Sequence, residues 1–247
     1  MSTSPAARSS EPAEPAEPAA YPVGSSPRPA VVVDVWADVV CPWCYLGKRR
    51  LRLAVDAWDR PHEVLLRHRA FELDPATPVS RRGHGVTVAA YLGEKYGGGE
   101  AAGRAMSARV AEIAAQDGLR MDMDAAVHAN SFDAHRLVAL AREMGGPALE
   151  DAALERMFSA HFAEGLAIDD HDVLLRCAAE AGLDERRVAA VLADDTYGEQ
   201  VRADERAARE IGVTGVPFAV ANDRLSVGGA QPVEVYLELL RQAAQPV

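Results

Sequence analysis

The stretch VVVDVWADVVCPWCYLGKRRL (31–51) constrains the fold of this chain more than any other. Its dense valines suit a strand buried on both faces, and the strand ends at Cys41. Beyond Cys41 the period changes. Leu46, Leu51, Leu53, Ala54 and Trp58 fit a helical face, with Lys48, Arg49, Arg50 and Arg52 between them. Pro42 falls in the first helical turn, where its missing N–H forfeits no hydrogen bond. HEVLLRHRAF (62–71) reads as a second strand and ELDPATP as a turn-rich exit, which completes a β-α-β unit.

From about 85 to 195 the pattern is helical without a strand signal. Leu137, Leu140, Ala141 and Met144 share a face that Gly145–Gly146–Pro147 should end. Leu154, Met157, Phe158 and Phe162 form another. Val173, Leu174, Cys177, Ala178 and Ala181 form a third, between a cap at Asp169 or Asp170 and Gly182, and a further helix starts at Asp184. Mixed structure then returns. A helix over roughly 197–211 stops at Gly212, GVPFAVANDRLSVGG reads as strand, Asn222–Asp223 turn and strand, and Pro232 opens a last helix. The expected organisation is a leader at 1–30, an α/β domain split between 31–84 and 196–247, and an inserted helical subdomain at 85–195.

The leader repeats EPA and lacks a basic segment followed by an apolar one, so it reads as a solvated chain rather than a secretory signal. A cytoplasmic location is the expectation. Hydrophobic residues make up 49% and charged residues 26% of the 247, the balance of a globular protein. With 26 Lys and Arg against 37 Asp and Glu, the net charge of −11 argues against a nucleic-acid partner, whose phosphates need clustered cations. No apolar run is long enough to make a membrane partner.

Three readings compete for Cys41 and Cys44. A closed zinc site needs four ligands, but Cys177 is the one remaining thiol, and His62, His68, His84 and His128 show no ligand spacing, so no metal is expected. A structural bridge would close too short a loop to stabilise much. A redox pair explains the spacing. Residues three apart in a first helical turn lie about 5–6 Å from each other, within disulfide reach. Free N–H groups and the helix dipole stabilise a thiolate at Cys41, and Cys44, one turn deeper, suits the resolving role.

The element order resembles the thioredoxin layout with helices inserted in the middle. In folds of that kind a cis-proline faces the cysteine pair, and Pro217 in GVTGVPF (212–218) is placed for it, with a trans-proline in an ordinary loop as the plainer reading. DVVCPWCYLGKRRL, FELDP, NSFDAHRLVALA, FSAHFAEGLAIDD and GVTGVPFAV…VGGAQP together resemble the DsbA-like oxidoreductases, specifically the FrnE-like group of bacterial genomes and some polyketide clusters. The resemblance spans about 31 to 240. It implies thiol–disulfide exchange with no cofactor beyond the Cys41–Cys44 disulfide, with Pro217 as the cis-proline and Pro42, Trp43 and Val216 beside it in the substrate site. Partners would be a thiol- or disulfide-bearing protein or a small thiol, which could also serve as co-substrate; the chain would act as a monomer or homodimer.

A neighbouring branch, the kappa-class glutathione transferases and 2-hydroxychromene-2-carboxylate isomerases, resembles this chain in its helical insertion. Those proteins carry a serine-type residue at the Cys41 position and activate glutathione there, so a thiol-dependent transferase or isomerase is the enzyme alternative. A non-catalytic peptide-binding module is the other. Trp43 stands where strongly oxidising relatives place a histidine, and an indole cannot supply that positive charge, so a less depressed Cys41 pKa is expected. Asp38 is a candidate proton relay to the resolving thiol, against the plainer reading of a strand-end acid facing solvent. His135 is a candidate for the groove between the subdomains, against a helix-packing role. Cys177, on an apolar helical face, reads as an inert buried thiol.

Overall fold

The computed structural model describes residues 30–78 and 85–245; the leader at 1–29 and His84 lie outside them. In chain order the elements are β1 (Val31–Ala37), α1 (Pro42–Asp56), β2 (Val64–Ala70), α2 (Val88–Lys95), α3 (Gly99–Gln116), α4 (Phe132–Phe162), α5 (His171–Ala181), α6 (Glu185–Ala193), α7 (Gly198–Glu210), β3 (Phe218–Ala221), β4 (Leu225–Gly228) and α8 (Val233–Ala243). The strands form one mixed sheet in the order β2-β1-β3-β4. β1 runs parallel to β2, with Val31 opposite Val64 and Ala37 opposite Ala70. On its other side β1 is antiparallel to β3, Val33 facing Ala221 and Trp36 facing Phe218. Asn222 and Asp223, at φ 49° and 54°, are the left-handed pair in the three-residue turn (222–224) that joins β3 to β4. β2 starts later than its apolar pattern, because Pro61–Glu63 forms a single 3-10 turn.

The alternation of β1 decides what covers the sheet. Val31, Val33 and Val35 pack with Leu51, Ala54 and Val55 of α1 and with Tyr236, Leu239 and Leu240 of α8. Trp36 points the other way, against Ala208 and Val213, and its indole N–H donates to the Asp204 carbonyl at 2.9 Å. The Asp204 carboxylate in turn accepts from the Ala70 amide at 3.1 Å and from Arg69 at 3.0 Å, which locks α7 across the end of β2.

The helices between β2 and α7 build the larger core, so the chain is a thioredoxin-like α/β fold with a helical insertion, as the element order predicts. α2 and α3 touch backbone to backbone; a Cβ on Gly103 would stand 1.9 Å from the Ala89 carbonyl oxygen. Gly145–Gly146–Pro147 breaks α4 into two helical runs where the sequence predicts a stop. Gly146 alone leaves helical geometry, at φ 66° and ψ −158°, and the helix resumes at Pro147. The buried Glu150 carboxylate accepts from Arg142 across that break at 3.0 Å. Asp170, not Asp169, caps α5 by accepting from the amides of Asp172 and Val173.

α1 belongs to both cores, and that places the site. One face packs on the sheet; the other sends Cys41, Cys44, Tyr45 and Leu46 into the insertion. The Tyr45 ring stacks on Phe158 at 4.9 Å and its hydroxyl donates to Glu155 at 2.8 Å. Lys48 pairs with Asp151 at 3.1 Å and Glu155 at 2.7 Å, and Arg50 with Asp117 at 2.5 Å. The helix that opens with the cysteines is thus clamped to α3 and α4.

Candidate active site

Cys41 is the N-cap residue of α1, with extended backbone at φ −95° and ψ 112°, and Pro42 takes the first helical position. No side chain caps this end, so the helix N-terminus is directed at the cysteine. Both cysteines are free thiols. Cys41 Sγ donates to the Val216 carbonyl at 3.7 Å, and the Val216–Pro217 peptide is cis. Gly47, one turn further along α1, makes room for that loop; a Cβ there would come within 2.8 Å of Pro217 Cγ. Cys44 Sγ accepts from the Asp38 amide at 3.5 Å. Burial above all, then the hydrogen bond and charge of Cys41 beside it, push the Cys44 thiol well above its ordinary range. The pair is therefore asymmetric: the inner thiol holds its proton tightly.

Asp38 overturns the solvent-facing reading of it, for it is wholly buried. The chain turns inward at the end of β1, so its carboxylate accepts from the amides of Val40 at 3.2 Å and Leu73 at 2.6 Å. His135 Nε2 stands 3.4 Å from the same carboxylate, an ion-pair contact without hydrogen-bond alignment. His135 lines a narrow cleft between the strands and the inserted helix α4. Its helix delivers it behind the cysteines, among Ala37, Ala70 and Asp204, and not to the cavity in front of Cys41. Burial alone would lower the His135 pKa, but Asp38, Glu72 and Glu205 outweigh it and raise it. Glu72, whose amide donates to Glu205 at 3.2 Å, is pushed up to about 7 by burial and by its acidic neighbours, against the opposing charge of His135.

In front of Cys41 lies a cavity of about 460 Å³ that Pro42, Trp43 and Val216 also line. Trp43 is 39% exposed and, with Leu73, Tyr96 and Met106, gives the mouth apolar edges. On one wall Tyr91 stacks on His128 at 3.8 Å and donates to Asp74 at 2.5 Å, and Lys95 donates to the Tyr91 hydroxyl at 2.6 Å. Sequence reading places none of these residues at the site, and names His128 only in setting aside a metal. Helical periodicity locates α2 and α3, but only tertiary packing shows which face meets the cysteines. Cys177 is fully buried on α5, and burial raises its pKa, which suits an inert thiol. Among the described residues no group of His, Cys, Asp and Glu has the arrangement of a metal site.

Thioredoxin-like sheet, cysteine pair at a helix N-terminus and inserted helices define a class, and the chain belongs to the DsbA-like thioredoxin domain family, whose sequence model matches residues 32–241. Among solved structures it is similar to a probable DsbA oxidoreductase from Streptomyces coelicolor, with 38% identity over 88% of this chain and 92% of that one and a TM-score of 0.81. Two more distant likenesses extend to the fold alone. One is the cytosolic disulfide reductase DsbM from Pseudomonas aeruginosa with GSH, at 20% identity, 85% and 98% coverage and a TM-score of 0.61. The other is a 2-hydroxychromene-2-carboxylate isomerase at 18% identity, 86% and 93% coverage and a TM-score of 0.59. No curated protein matches the sequence. Among the described residues no helix is long and apolar enough to cross a membrane.

Proposed function

We propose that this protein is a thiol–disulfide oxidoreductase acting through Cys41 and Cys44, in the cytoplasm and without a bound cofactor. The observation that carries the reading is the asymmetry of the pair. Cys41 lies at an uncapped helix N-terminus and lines the cavity, while Cys44 is held one turn deeper with a raised pKa. Acting as a reductant, the Cys41 thiolate attacks a substrate disulfide. A Cys41–substrate bond forms, the substrate S–S bond breaks, and one thiolate leaves and takes a proton. Cys44 then gives up its proton and attacks Cys41 Sγ, which releases the second thiol and leaves a Cys41–Cys44 disulfide. Run backwards, the same steps oxidise a dithiol, and either direction leaves the other half-reaction to a thiol or disulfide partner. The Val216 carbonyl, now accepting from the Cys41 thiol, becomes free to accept from a docked substrate once that thiol is consumed.

The test compares Cys41→Ser with Cys44→Ser in insulin reduction and dithiol oxidation. Loss of turnover by at least about 1000-fold in Cys41→Ser, and a mixed disulfide that accumulates on Cys41 in Cys44→Ser, are the expected results. Turnover unchanged in Cys41→Ser sinks the proposal. Activity that survives loss of Cys44 but requires added glutathione would move the assignment to a thiol-dependent transferase or isomerase.

A further inference from the structure

Closing the Cys41–Cys44 disulfide obliges Cys44 to lose a proton at a moment when the front of the site is occupied. Cys44 is 1% exposed, and a substrate bonded to Cys41 takes up the cavity before it. Behind the pair the surroundings differ. The Asp38 amide donates to Cys44 Sγ at 3.5 Å, which makes the wholly buried Asp38 a direct neighbour of the thiol, and the Asp38 charge is among those that raise the Cys44 pKa. His135 Nε2 lies 3.4 Å from the Asp38 carboxylate.

His135 connects that carboxylate to the outside. Its Nε2 is buried, yet the side chain keeps 5% exposure, so the ring meets its surroundings by another edge. It lines a cleft of about 20 Å³, room for one water molecule, whose rim is made by the partly exposed Arg69, Arg142 and Gln200. A histidine passes a proton by taking it on one ring nitrogen and releasing it from the other. The surrounding charges favour that role. Asp38 beyond β1, Glu72 beyond β2 and Glu205 on α7 raise the His135 pKa against burial. The basic groups of the cleft are engaged elsewhere: Arg69 by Asp34 and Asp204, Arg142 by Glu150, and His68 stands 3.6 Å from Asp151. His161, near the end of α4, also feels the Asp38 charge, but it is wholly buried. Burial lowers its pKa to about 4, so it takes up no proton at neutral pH.

We propose that His135 carries the Cys44 proton from Asp38 to solvent through this cleft, so that substrate enters by the front of the site and the proton leaves by the back. This rests on the redox reading of Cys41 and Cys44 and adds the proton path. In the resolving step the Cys44 proton passes to Asp38 and from Asp38 to His135 Nε2, and the ring returns one to water in the cleft. Long contacts of this kind tighten when the reacting complex forms. The electron pair left on Cys44 Sγ forms the bond to Cys41 Sγ, the Cys41–substrate bond breaks, and the substrate leaves as a thiolate. His135 acts through Asp38 rather than on either sulfur.

The experiment mixes the full-length, reduced protein with an equimolar amount of dipyridyl disulfide, which releases one thiopyridone when Cys41 attacks and a second when Cys44 resolves. Stopped-flow absorbance separates the two releases. In His135→Ala the second release is expected to slow about tenfold or more, while the first changes by less than about twofold. Imidazole added to that variant restores the second release; pyrazole, of the same shape but far less basic, does not. His135→Gln keeps a hydrogen-bonding group beside Asp38 but cannot carry a proton. It slows the second release as alanine does, and it decides the matter if the alanine variant does not fold. The proposal is overturned, with the redox reading intact, by a second release in His135→Gln as fast as in the unsubstituted protein, or by equal slowing of both releases. No restoration by imidazole, or equal restoration by pyrazole, overturns it too. An unsubstituted protein that fails to give two releases overturns both.

Discussion

Cys41 and Cys44 are separated by a single helical turn, yet the protein builds different surroundings for each. In front of Cys41 are an apolar cavity, a backbone carbonyl and a helix N-terminus. Behind Cys44 are a backbone amide and a cluster of buried Asp38 and His135 with half-buried Glu72 and Glu205. In the proposed exchange the front would receive the substrate sulfur and the back would set the surroundings of the inner thiol's proton. The difference teaches that the inserted helices are part of the candidate site. They supply the cavity wall through α2, α3 and α4, and α4 also supplies His135.

Asp38→Ala breaks the comparison from behind and should have the largest effect. It strands the amides of Val40 and Leu73 and leaves His135 without its nearest counter-charge. Removing one partner from such a buried set costs about 3–5 kcal/mol. A denaturant titration should show that loss, with Asp38→Asn intermediate because it keeps an acceptor for one amide. Stability equal to that of the unsubstituted protein in Asp38→Ala would show the carboxylate to be dispensable.

Much of this arrangement is legible in the sequence, and the limits have physical causes. The valine run, Pro42 and the cysteine spacing locate β1, α1 and the pair, because strand burial and helix initiation are local properties. The hairpin at Asn222–Asp223 is legible for the same reason. Asp38 is not: whether a strand-end acid meets water or two amides depends on how the Leu73 segment folds back over it. His135 and His161 follow the same rule. Periodicity places both on helices, but the direction each faces is set by helix packing across a sequence separation that no local pattern encodes. The break at Gly145–Gly146–Pro147 is legible because it is local: Gly146 ends one helical run and Pro147 opens the next.

Gly47→Ala tests the front. The added methyl meets the Pro217 ring at 2.8 Å, and a proline ring has no rotamer by which to retreat. The Val216–Pro217 loop must shift by a few tenths of an ångström or more from Cys41. Misplacement on this scale should slow the reaction of Cys41 with substrate about 10- to 100-fold. Stopped-flow rates with a peptide disulfide measure it, and a loss confined to stability, with the rate retained, would remove the loop from the site.

The pH dependence of stability sharpens the back with the smallest effect. Glu72 titrates at about 7 in the folded protein against an ordinary 4.5, so folding takes up a proton between those values. His135 is raised above its ordinary 6.5, and its charged form stabilises the fold fully below that pH and progressively less as pH rises through the folded value. Both shifts have one sign: through these two groups the folded state binds more protons, so their contribution to stability falls as pH rises from about 5 to 8. The charges facing this pair are Asp38 and Glu205, with Arg202 of α7 also near Glu72. Asp74 and Asp151 are shifted downwards, the first mainly by Tyr91 and the second by His68 and Lys48 against burial. They therefore titrate below this window, whereas His161 of α4, lowered by burial to about 4 from 6.5, loses its proton on folding and opposes the trend between about pH 5 and 6.5. Because Glu72 is only partly buried, the change amounts to about 1 kcal/mol after discounting for solvent. Denaturation midpoints at pH 6.5, 7, 7.5 and 8, above the range where His161 opposes the trend, should fall in the unsubstituted protein and flatten in Glu72→Gln, which becomes the more stable of the two at pH 8. A profile that rises with pH over this range would mean that the cluster releases protons on folding, and the division between a proton-holding back and a substrate-facing front would have to be abandoned.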